Sequence, residues 1–234
     1  MKRTACVFVF ILISVFVISC ADTNKAKEKP AVTTDVKKVK KVQKVKKIAK
    51  ITEETFDRRN DSIIFISATI ENFDVDGNSI DVFWLNEKRD TILRLYRKYD
   101  ENKKLIGAEY YEEGDTKPSR DTVYINSEGK KVEASLNAEG KISWKSTITT
   151  DTKGNPVLKT YTNGKGEYRG YDSLYFNQQN REIKGFYENS KGKRSNFRTY
   201  TYTARDKQGN WVRRVVFIND TVTQSQRRFL KYHK

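Results

Sequence analysis

The sequence predicts an all-β protein, an extended antiparallel β-meander of about 11–13 short strands that follows a long N-terminal leader. Turn signals recur at short intervals from about Phe56 onward, and the segments between them are rich in Tyr, Phe, Thr, Val and Ile. The chain has only three prolines, so few of these segments need be demoted to edge strands. No segment after residue 56 has the apolar spacing of an amphipathic helix.

The turn signals share one form, an Asn or Asp followed three residues later by Gly. The Asx side chain accepts hydrogen bonds from backbone N–H groups further along the turn, and Gly adopts the positive φ that tightens it. The form occurs at residues 74–78, 126–129, 137–140, 151–155, 163–166 and 206–210. Each occurrence predicts a β-hairpin. Between two of them, Ile142, Trp144 and Ile148 fall on one side of a strand with a buried and a solvated face.

The sequence also contains a repeat that is longer than the spacing of the hairpins. Residues 121–126 are echoed by residues 172–177 and again from Asp220, at offsets of 51 and 48. A repeated supersecondary unit that cannot bury its own apolar face usually stacks on its neighbours. We therefore expect a sheet that is extended by successive hairpins.

Parts of this repeat resemble the YD or RHS-type repeat, in which Tyr-Asp, a Gly-Asn turn and an apolar strand alternate along a β-meander. The resemblance rests on Tyr99-Asp100 with Asn102 and Leu105-Ile106, on Tyr171-Asp172, and on residues 206–214. It covers residues 95–234 at most, and several Tyr-Asp positions of the family pattern are missing. It implies the hairpin architecture with no active site attached.

The leader begins with a targeting segment. Met1-Lys2-Arg3 precedes an apolar run from Ala5 to Ile18, which is typical of a helical signal peptide and too short for a confident membrane span. Val17-Ile18-Ser19-Cys20 resembles the lipobox of bacterial lipoprotein precursors. The resemblance implies cleavage after Ser19, so that residues 1–19 are the signal peptide. An ordinary secreted protein with an incidental Cys20, or an uncleaved N-terminal anchor, are the alternatives.

In lipoproteins of this kind the lipobox cysteine carries the membrane anchor. The resemblance implies a diacylglyceryl group on the Cys20 thiol and acylation of the new amino terminus. Two or three acyl chains anchor a protein stably, whereas one chain alone binds only marginally. Because Ala21 rather than Asp follows Cys20, the resemblance favours the outer membrane over the inner one. We therefore expect a mature protein that is anchored to the membrane by its acyl chains and does not span it.

Residues 20–55 are predicted to be a flexible lysine-rich tether. Residues 21–50 contain eleven lysines and three acidic residues, within a chain of net charge +16. Apolar residues recur every third position from Val36 to Ile51, and this period circles a helix instead of forming one face. High charge with low hydrophobicity favours a solvated spacer. The alternative is a polybasic segment that contacts anionic lipids or envelope polymers. The exported location argues against nucleic acid as a partner.

The sequence offers few groups for catalysis or cofactor binding. Cys6 lies in the signal peptide and Cys20 is assigned to lipidation, which leaves no thiol for a disulfide, a metal or a nucleophile. His233 is the single histidine, and one histidine cannot form a histidine metal cluster. We expect His233 to be a solvent-exposed terminal residue. We expect no metal, no cofactor and no catalytic residues. A carboxylate pair stays possible because its spacing is set in three dimensions.

The predicted function is therefore that of a non-catalytic envelope lipoprotein, with a β domain at residues 56–234 that binds or scaffolds an unidentified partner. Residues 197–202 and 211–217 interleave aromatic rings with Arg, either as cross-strand packing pairs or as a surface for sugars and acidic polymers. Two alternatives stay open. One is a lipid-anchored glycan hydrolase with a carboxylate pair. The other is an immunity or assembly factor that docks a protein by strand addition.

Overall fold

The computed structural model describes residues 46–59, 62–137, 139–220 and 222–234. The predicted signal peptide, Cys20 and most of the predicted tether lie outside the described residues, so their assignments stay predictions. Within the described ranges, no helix is long and apolar enough to cross a membrane.

The described chain is all-β, and its strands follow one another as an antiparallel meander, which confirms the predicted fold class. The strands are β1 (Ile48–Arg59), β2 (Ser62–Phe73), β3 (Ser79–Leu85), β4 (Thr91–Tyr99), β5 (Leu105–Glu112), β6 (Ser119–Ile125), β7 (Lys131–Leu136), β8 (Ile142–Thr150), β9 (Pro156–Asn163), β10 (Tyr168–Phe176), β11 (Glu182–Asn189), β12 (Arg194–Arg205), β13 (Trp211–Ile218) and β14 (Val222–Tyr232). These described ranges hold fourteen strands, slightly more than the sequence suggested.

The first strand begins earlier than the sequence indicated. β1 starts at Ile48, so the predicted boundary between tether and β domain at residue 56 falls inside this strand. The two carboxylates that end the lysine-rich stretch, Glu53 and Glu54, form ion pairs with arginines of other strands. Interstrand pairing on both sides of β1 thus brings residues 48–55 into the β domain.

The meander closes on itself, because β1 pairs with β14 along most of its length. The result is a closed barrel in which each of the fourteen strands is hydrogen-bonded to two neighbours. Turn signals along the chain do not predict this closure, since the paired residues Glu53 and Arg228 are 175 positions apart.

The strands are strongly inclined to the barrel axis. Paired residues lead around the wall from Lys50, near the start of β1, to Ile142, at the start of β8. The path runs through Asn72, Asp81, Tyr96, Glu109, Arg120 and Leu136. Odd and even strands start at opposite ends of the barrel, so Lys50 on β1 and Ile142 on β8 lie near opposite ends. Half a circuit around the wall therefore shifts the register by about one strand length. Inclination of this kind is what barrel closure requires.

The same type of turn connects strands at both ends of the barrel. In the turn at residues 151–155, Asp151 Oδ1 accepts hydrogen bonds from the backbone N–H groups of Lys153 (2.9 Å) and Asn155 (2.8 Å), and Gly154 has φ +83°. All six turns that the sequence predicts are present. Four more have the same backbone hydrogen bonds and begin at Asn86, Asp100, Asn177 and Asn189.

The turns at the end where β1 begins and β14 ends, here called the terminal end, reveal the underlying repeat. Their first residues are Asp74, Asp100, Asn126, Asp151, Asn177 and Asp206, spaced 26, 26, 25, 26 and 29 residues apart. The repeat of 51 residues seen in the sequence is therefore two hairpins. Polar contacts join turns along this rim, such as Lys103 Nζ to Asp76 Oδ2 (2.5 Å) and Arg181 Nη2 to the carbonyl oxygen of Gly209 (2.9 Å).

The inward face of the wall is identified by ion pairs that pass over an intervening strand. Arg214 on β13 reaches Glu53 on β1, and Lys159 on β9 reaches Glu133 on β7. Side chains on a concave face converge, so these residues and those in register with them point into the barrel. Part of this face is apolar, where Val82, Leu95 and Ala108 form a buried cluster that packs with Trp84 and Tyr110.

Candidate functional site

The inward face of the strands that close the barrel carries three arginines and two glutamates, here called the inner arginine cluster. Its members are Arg198 on β12, Arg214 on β13, Arg228 on β14, Glu53 on β1 and Glu182 on β11. Alternate residues of a strand share a face, so Arg198 also brings Tyr200 and Tyr202 inward. The cluster therefore lines the wall across the strands that include the closing pair.

Glu53 binds two of these arginines. Arg228 Nε donates to Glu53 Oε2 at 2.6 Å, and Arg214 Nη2 donates to Oε1 at 3.3 Å. The Glu53 side chain is only 15% exposed. Burial alone would raise its pKa, but the guanidinium groups of Arg228 and Arg214 outweigh burial and hold the pKa of Glu53 below its ordinary value. Glu53 therefore stays ionised at neutral pH and ties β1 to both β14 and β13.

Aromatic rings pack against the same two guanidinium groups. The Trp211 ring centre lies 3.7 Å from Arg228 Cζ and 4.4 Å from Arg214 Cζ. Arg214 also lies 4.5 Å from the Tyr200 ring centre, and the Tyr202 ring meets Trp211 edge-on at 5.6 Å. Cation–π contacts of this kind strengthen when they are shielded from water. The cluster thus combines rings and charges on one wall.

The third arginine has a different environment. Arg198 Nε donates to Glu182 Oε1 at 3.3 Å, and the two side chains are 11% and 9% exposed. Gly185 pairs with Arg198 across the strands, and a Cβ there would lie 3.2 Å from Arg198 Nε and 3.1 Å from Glu182 Oε1. The missing side chain leaves room for the guanidinium. Burial raises the pKa of Glu182 despite the Arg198 charge.

Two buried polar atoms on the inward face have no hydrogen-bond partner among the described residues, Arg198 Nη2 and Asp121 Oδ1. Buried polar atoms in proteins are almost always paired, so each of these atoms requires an explanation. Arg198 Nη2 is a donor beside the aromatic rings of β12, and Asp121 Oδ1 is an acceptor on β6. They mark two separate polar positions of the wall.

The surroundings of Asp121 include a second carboxylate. Burial raises the pKa of Asp121, although a hydrogen bond from Ser135 opposes the shift. On β7, Glu133 pairs with Lys159 (2.9 Å) and Lys131 (3.0 Å), and these lysines outweigh burial and lower its pKa. The cavity that both carboxylates line has a volume of about 20 Å³. This space holds about one water molecule and is too small for a sugar ring.

Tyr161 on β9 lies on the wall between the surroundings of Asp121 and those of Arg198. Its hydroxyl donates to Asp172 Oδ2 at 2.5 Å, and both side chains are buried. Burial and the Asp172 charge raise the pKa of Tyr161. The Trp144 ring lies 5.5 Å from the Tyr161 ring. Aromatic and acidic groups therefore continue along the inward face from β8 to β10.

The structure differs from the sequence-based expectation for His233, and it also bears on the predicted docking by strand addition. His233 is half-buried, and its Nε2 lies 2.9 Å from the carbonyl oxygen of Asp74, so it packs at the terminal end instead of extending into solvent. Docking by strand addition requires a free strand edge, and β1–β14 have none because the barrel is closed. In the described part of the chain, no group of three or more His, Cys, Asp or Glu side chains is arranged to hold a metal ion.

The inner arginine cluster was only partly visible in the sequence. The interleaved aromatic and Arg residues at 197–202 and 211–217 indicated that β12 and β13 carry unusual side chains. Trp211 and Val216 are buried, whereas Phe217 faces outward and is 37% exposed. Glu53 and Glu182 gave no such signal, because their arginine partners lie on other strands.

Known proteins are only distantly similar to this chain. No protein-family model matches the chain, and no curated protein matches it. Matching solved structures include a porin-like protein from Bacteroides uniformis, with 10% identity and a TM-score of 0.49, which covers 79% of this chain and 96% of that one. A DUF1329 family protein from Desulfovibrio piger has 10% identity and a TM-score of 0.36, and covers 79% of this chain and 86% of that one. Similarity at this level carries no information about function.

Proposed function

We propose that this protein is a non-catalytic lipoprotein of the bacterial cell envelope, anchored to the outer membrane through Cys20, whose barrel binds a small polar or amphipathic ligand on its inward face. The lipobox-like Val17-Ile18-Ser19-Cys20 supports the anchor. The unpaired Arg198 Nη2 in the inner arginine cluster is the observation that carries the binding role.

The position of the first strand suits a tethered domain. β1 begins at Ile48, 28 residues after Cys20, and the C-terminal residues lie at the same end of the barrel. A fully extended segment of that length spans on the order of 90 Å. The barrel can therefore reach well beyond the lipid head groups while it stays attached.

The inward face offers a ligand two kinds of contact. Arg198 Nη2 can donate to an oxygen atom of a ligand, while the rings of Tyr200 and Tyr202 line the same strand. Across the barrel, the partly buried rings of Trp84 and Tyr110 pack on the buried Val82 and Leu95 and add an apolar contact. Binding sites in proteins are typically apolar walls with a few placed polar groups. The arrangement favours a ligand with one polar and one apolar side.

Replacing the lipobox cysteine tests the anchor. The full chain with Cys20→Ser should lose incorporation of labelled palmitate and leave the membrane fraction, because no thiol is present to accept the diacylglyceryl group. Cys6→Ser is the matched control, since it changes the other cysteine of the signal segment and should keep both properties. Label retained on the Cys20→Ser chain would exclude the lipoprotein assignment.

Native mass spectrometry of the protein purified from its own envelope tests the binding role. We expect the wild-type chain to carry a bound small molecule and Arg198→Met to lose it, because Met fills the space without offering a donor. Arg94→Met is the control, since Arg94 is exposed on β4 and should keep the ligand. A wild-type chain that carries no additional mass, or an Arg198→Met chain that carries the same mass, would contradict binding at this site.

A further inference from the structure

Aromatic rings on the outward face of β10–β13 form a group here called the outer aromatic patch: Tyr175, Phe186, Phe197 and Phe217. Tyr175 is 46% exposed, and Phe197 and Phe217 are each 37% exposed. Phe186 lies beneath them, with ring centres 5.6 Å from Phe197 and 6.4 Å from Tyr175. Phe217 joins the patch through its register with Thr199 on the neighbouring strand. The four rings therefore lie on four adjacent strands, three of them in contact.

Basic side chains surround these rings. Arg194 lies 4.6 Å above the Phe186 ring centre, and Lys184 Nζ lies 5.9 Å from the Tyr175 ring centre. On the next strand along the wall, Arg227 packs against the outward-facing rings of Phe229 and Phe56 at 5.1 and 4.6 Å. Exposed rings and cationic groups thus alternate over this side of the barrel.

The charge on this side is unbalanced. The acidic residues within β10–β14 are Asp172, Glu182 and Glu188, and the first two point inward with the side chains that they bind. Glu188 faces outward and pairs with Arg194 at 2.7 Å. Arg227 likewise pairs with Glu54 of β1 at 2.7 Å, which leaves the outward-facing Lys184 and Arg213 on the basic side. The outward surface therefore has a clear excess of positive charge.

The opposite side of the barrel is also basic but exposes fewer aromatic rings. On the outward face of β4–β6, Glu109 pairs with both Lys98 (2.6 Å) and Arg120 (3.5 Å). Tyr96 is 38% exposed there and its ring packs edge-on against Phe83 and Tyr111. Arg94, Lys98 and Arg120 outnumber Glu109 on that face, so both sides are basic. The exposed rings there are Tyr96 and Tyr124, against Tyr175, Phe197 and Phe217 in the outer aromatic patch, so the patch is distinguished by its rings.

We infer that the outer aromatic patch and its basic rim dock the barrel on an anionic phospholipid surface. Aromatic side chains are favoured at the level of lipid head groups, and Lys and Arg side chains are attracted to an anionic surface. Exposed rings flanked by cations and lacking unpaired carboxylates fit that surface better than they fit an acidic protein. The inference rests on the proposed lipoprotein role only in that the anchor would keep such a surface within reach.

Vesicle co-sedimentation tests the inference on the mature chain with Cys20→Ser, so that no acyl chain contributes. The vesicles contain phosphatidylcholine mixed with phosphatidylglycerol, and pure phosphatidylcholine is the neutral comparison. The double variant Arg213→Gln, Phe217→Ser should partition about tenfold more weakly onto the anionic vesicles, given the contribution of each basic residue. The control Arg94→Gln, Tyr96→Ser removes an Arg and a ring from the other side and should bind like the unsubstituted chain.

The lysine-rich segment is present in every variant, so equal partitioning of the two doubles would assign binding to that segment and overturn the inference. A patch variant that loses self-association instead of vesicle binding would show that the patch is an interface between copies of the chain. That result would also overturn the inference. Phe217→Trp gives a second measurement that needs no loss of stability: its emission should shift to the blue on anionic vesicles, and an unchanged spectrum would contradict docking. Labelling of Cys20 is measured separately, so failure of the anchor and failure of docking are distinguishable.

Discussion

The inward face of the barrel is mostly apolar over β3–β5, where Arg97 pairs with Glu71 of β2 at 3.6 Å, and it is charged over β11–β14 and β1. In the apolar region Val82, Leu95 and Ala108 are buried against one another. In the charged region Glu53, Arg214 and Arg228 are nearly as inaccessible, with side chains 15–17% exposed. Burial of apolar groups is favourable in itself, whereas buried ions must recover a desolvation cost through their pairing. The two regions therefore hold the same barrel together by different means.

The largest expected effect comes from removing one member of the charged region. Glu53→Gln leaves Arg214 and Arg228 without a carboxylate, which should lower the free energy of unfolding by about 3–5 kcal/mol. Urea unfolding at pH 7 measures it. Glu109→Gln is the control, because this outward ion-pair residue should cost about 1 kcal/mol or less. A Glu53→Gln loss no larger than that of the control would show that the pairing contributes little.

A slightly smaller loss is expected in the apolar region. Leu95 is 3% exposed, so Leu95→Ala removes buried methyl groups and leaves a cavity at a cost of about 3 kcal/mol. The same unfolding experiment gives this value. Ile92→Ala on the outward face of β4, where Ile92 is 38% exposed, should cost much less. Equal losses at the two positions would mean that the inward face of β3–β5 is not a core.

Glu53 in the charged region and Asp121 on β6, beside the apolar region, should respond oppositely to pH. The folded pKa of Glu53 lies below its unfolded value, so its contribution to stability is complete above roughly pH 4.5 and is lost as the pH falls through the folded pKa. The folded pKa of Asp121 is raised, so its effect is opposite: stability is lost as the pH rises from about 3.8 through the folded pKa.

Thermal melting between pH 3 and pH 7 separates these contributions. The melting temperature of Asp121→Asn should rise relative to wild type as the pH increases, because Asn carries no charge that burial disfavours. The deficit of Glu53→Gln should shrink towards acid pH, where the wild-type carboxylate is protonated. Parallel curves for wild type and Asp121→Asn would contradict the raised pKa.

The smallest change in stability is expected when the charged group is replaced as a whole. Glu53→Leu, Arg214→Met and Arg228→Leu together should leave the free energy of unfolding within about 1 kcal/mol of wild type or raise it, as apolar replacement of buried ion networks often does. Such a result would mean that the group formed by Glu53, Arg214 and Arg228 is not needed for stability. A loss as large as that of Glu53→Gln alone would show instead that the network stabilises the closing strands.

Much of the strand order could be predicted because the turns are local. Asp151 and Gly154 specify their hairpin within five residues, and the same chemistry identified six turns correctly. Four turns were missed because Arg89, Lys103 and Asn180 replace Gly at the positive-φ position in three of them and Gly192 follows an unremarked Asn189 in the fourth. The early start of β1 was missed because its partners are distant arginines.

The sequence by itself determined the all-β class, the succession of hairpins and the strong basic charge, because alternation and turn chemistry act between residues a few positions apart. Only the tertiary structure decided that the meander closes and which side chains face inward. Glu53 meets Arg214 across 161 positions and Arg228 across 175, and no local pattern encodes such pairings. Closure fixes them, since the inclined strands meet in a single register that brings these charges to one concave face.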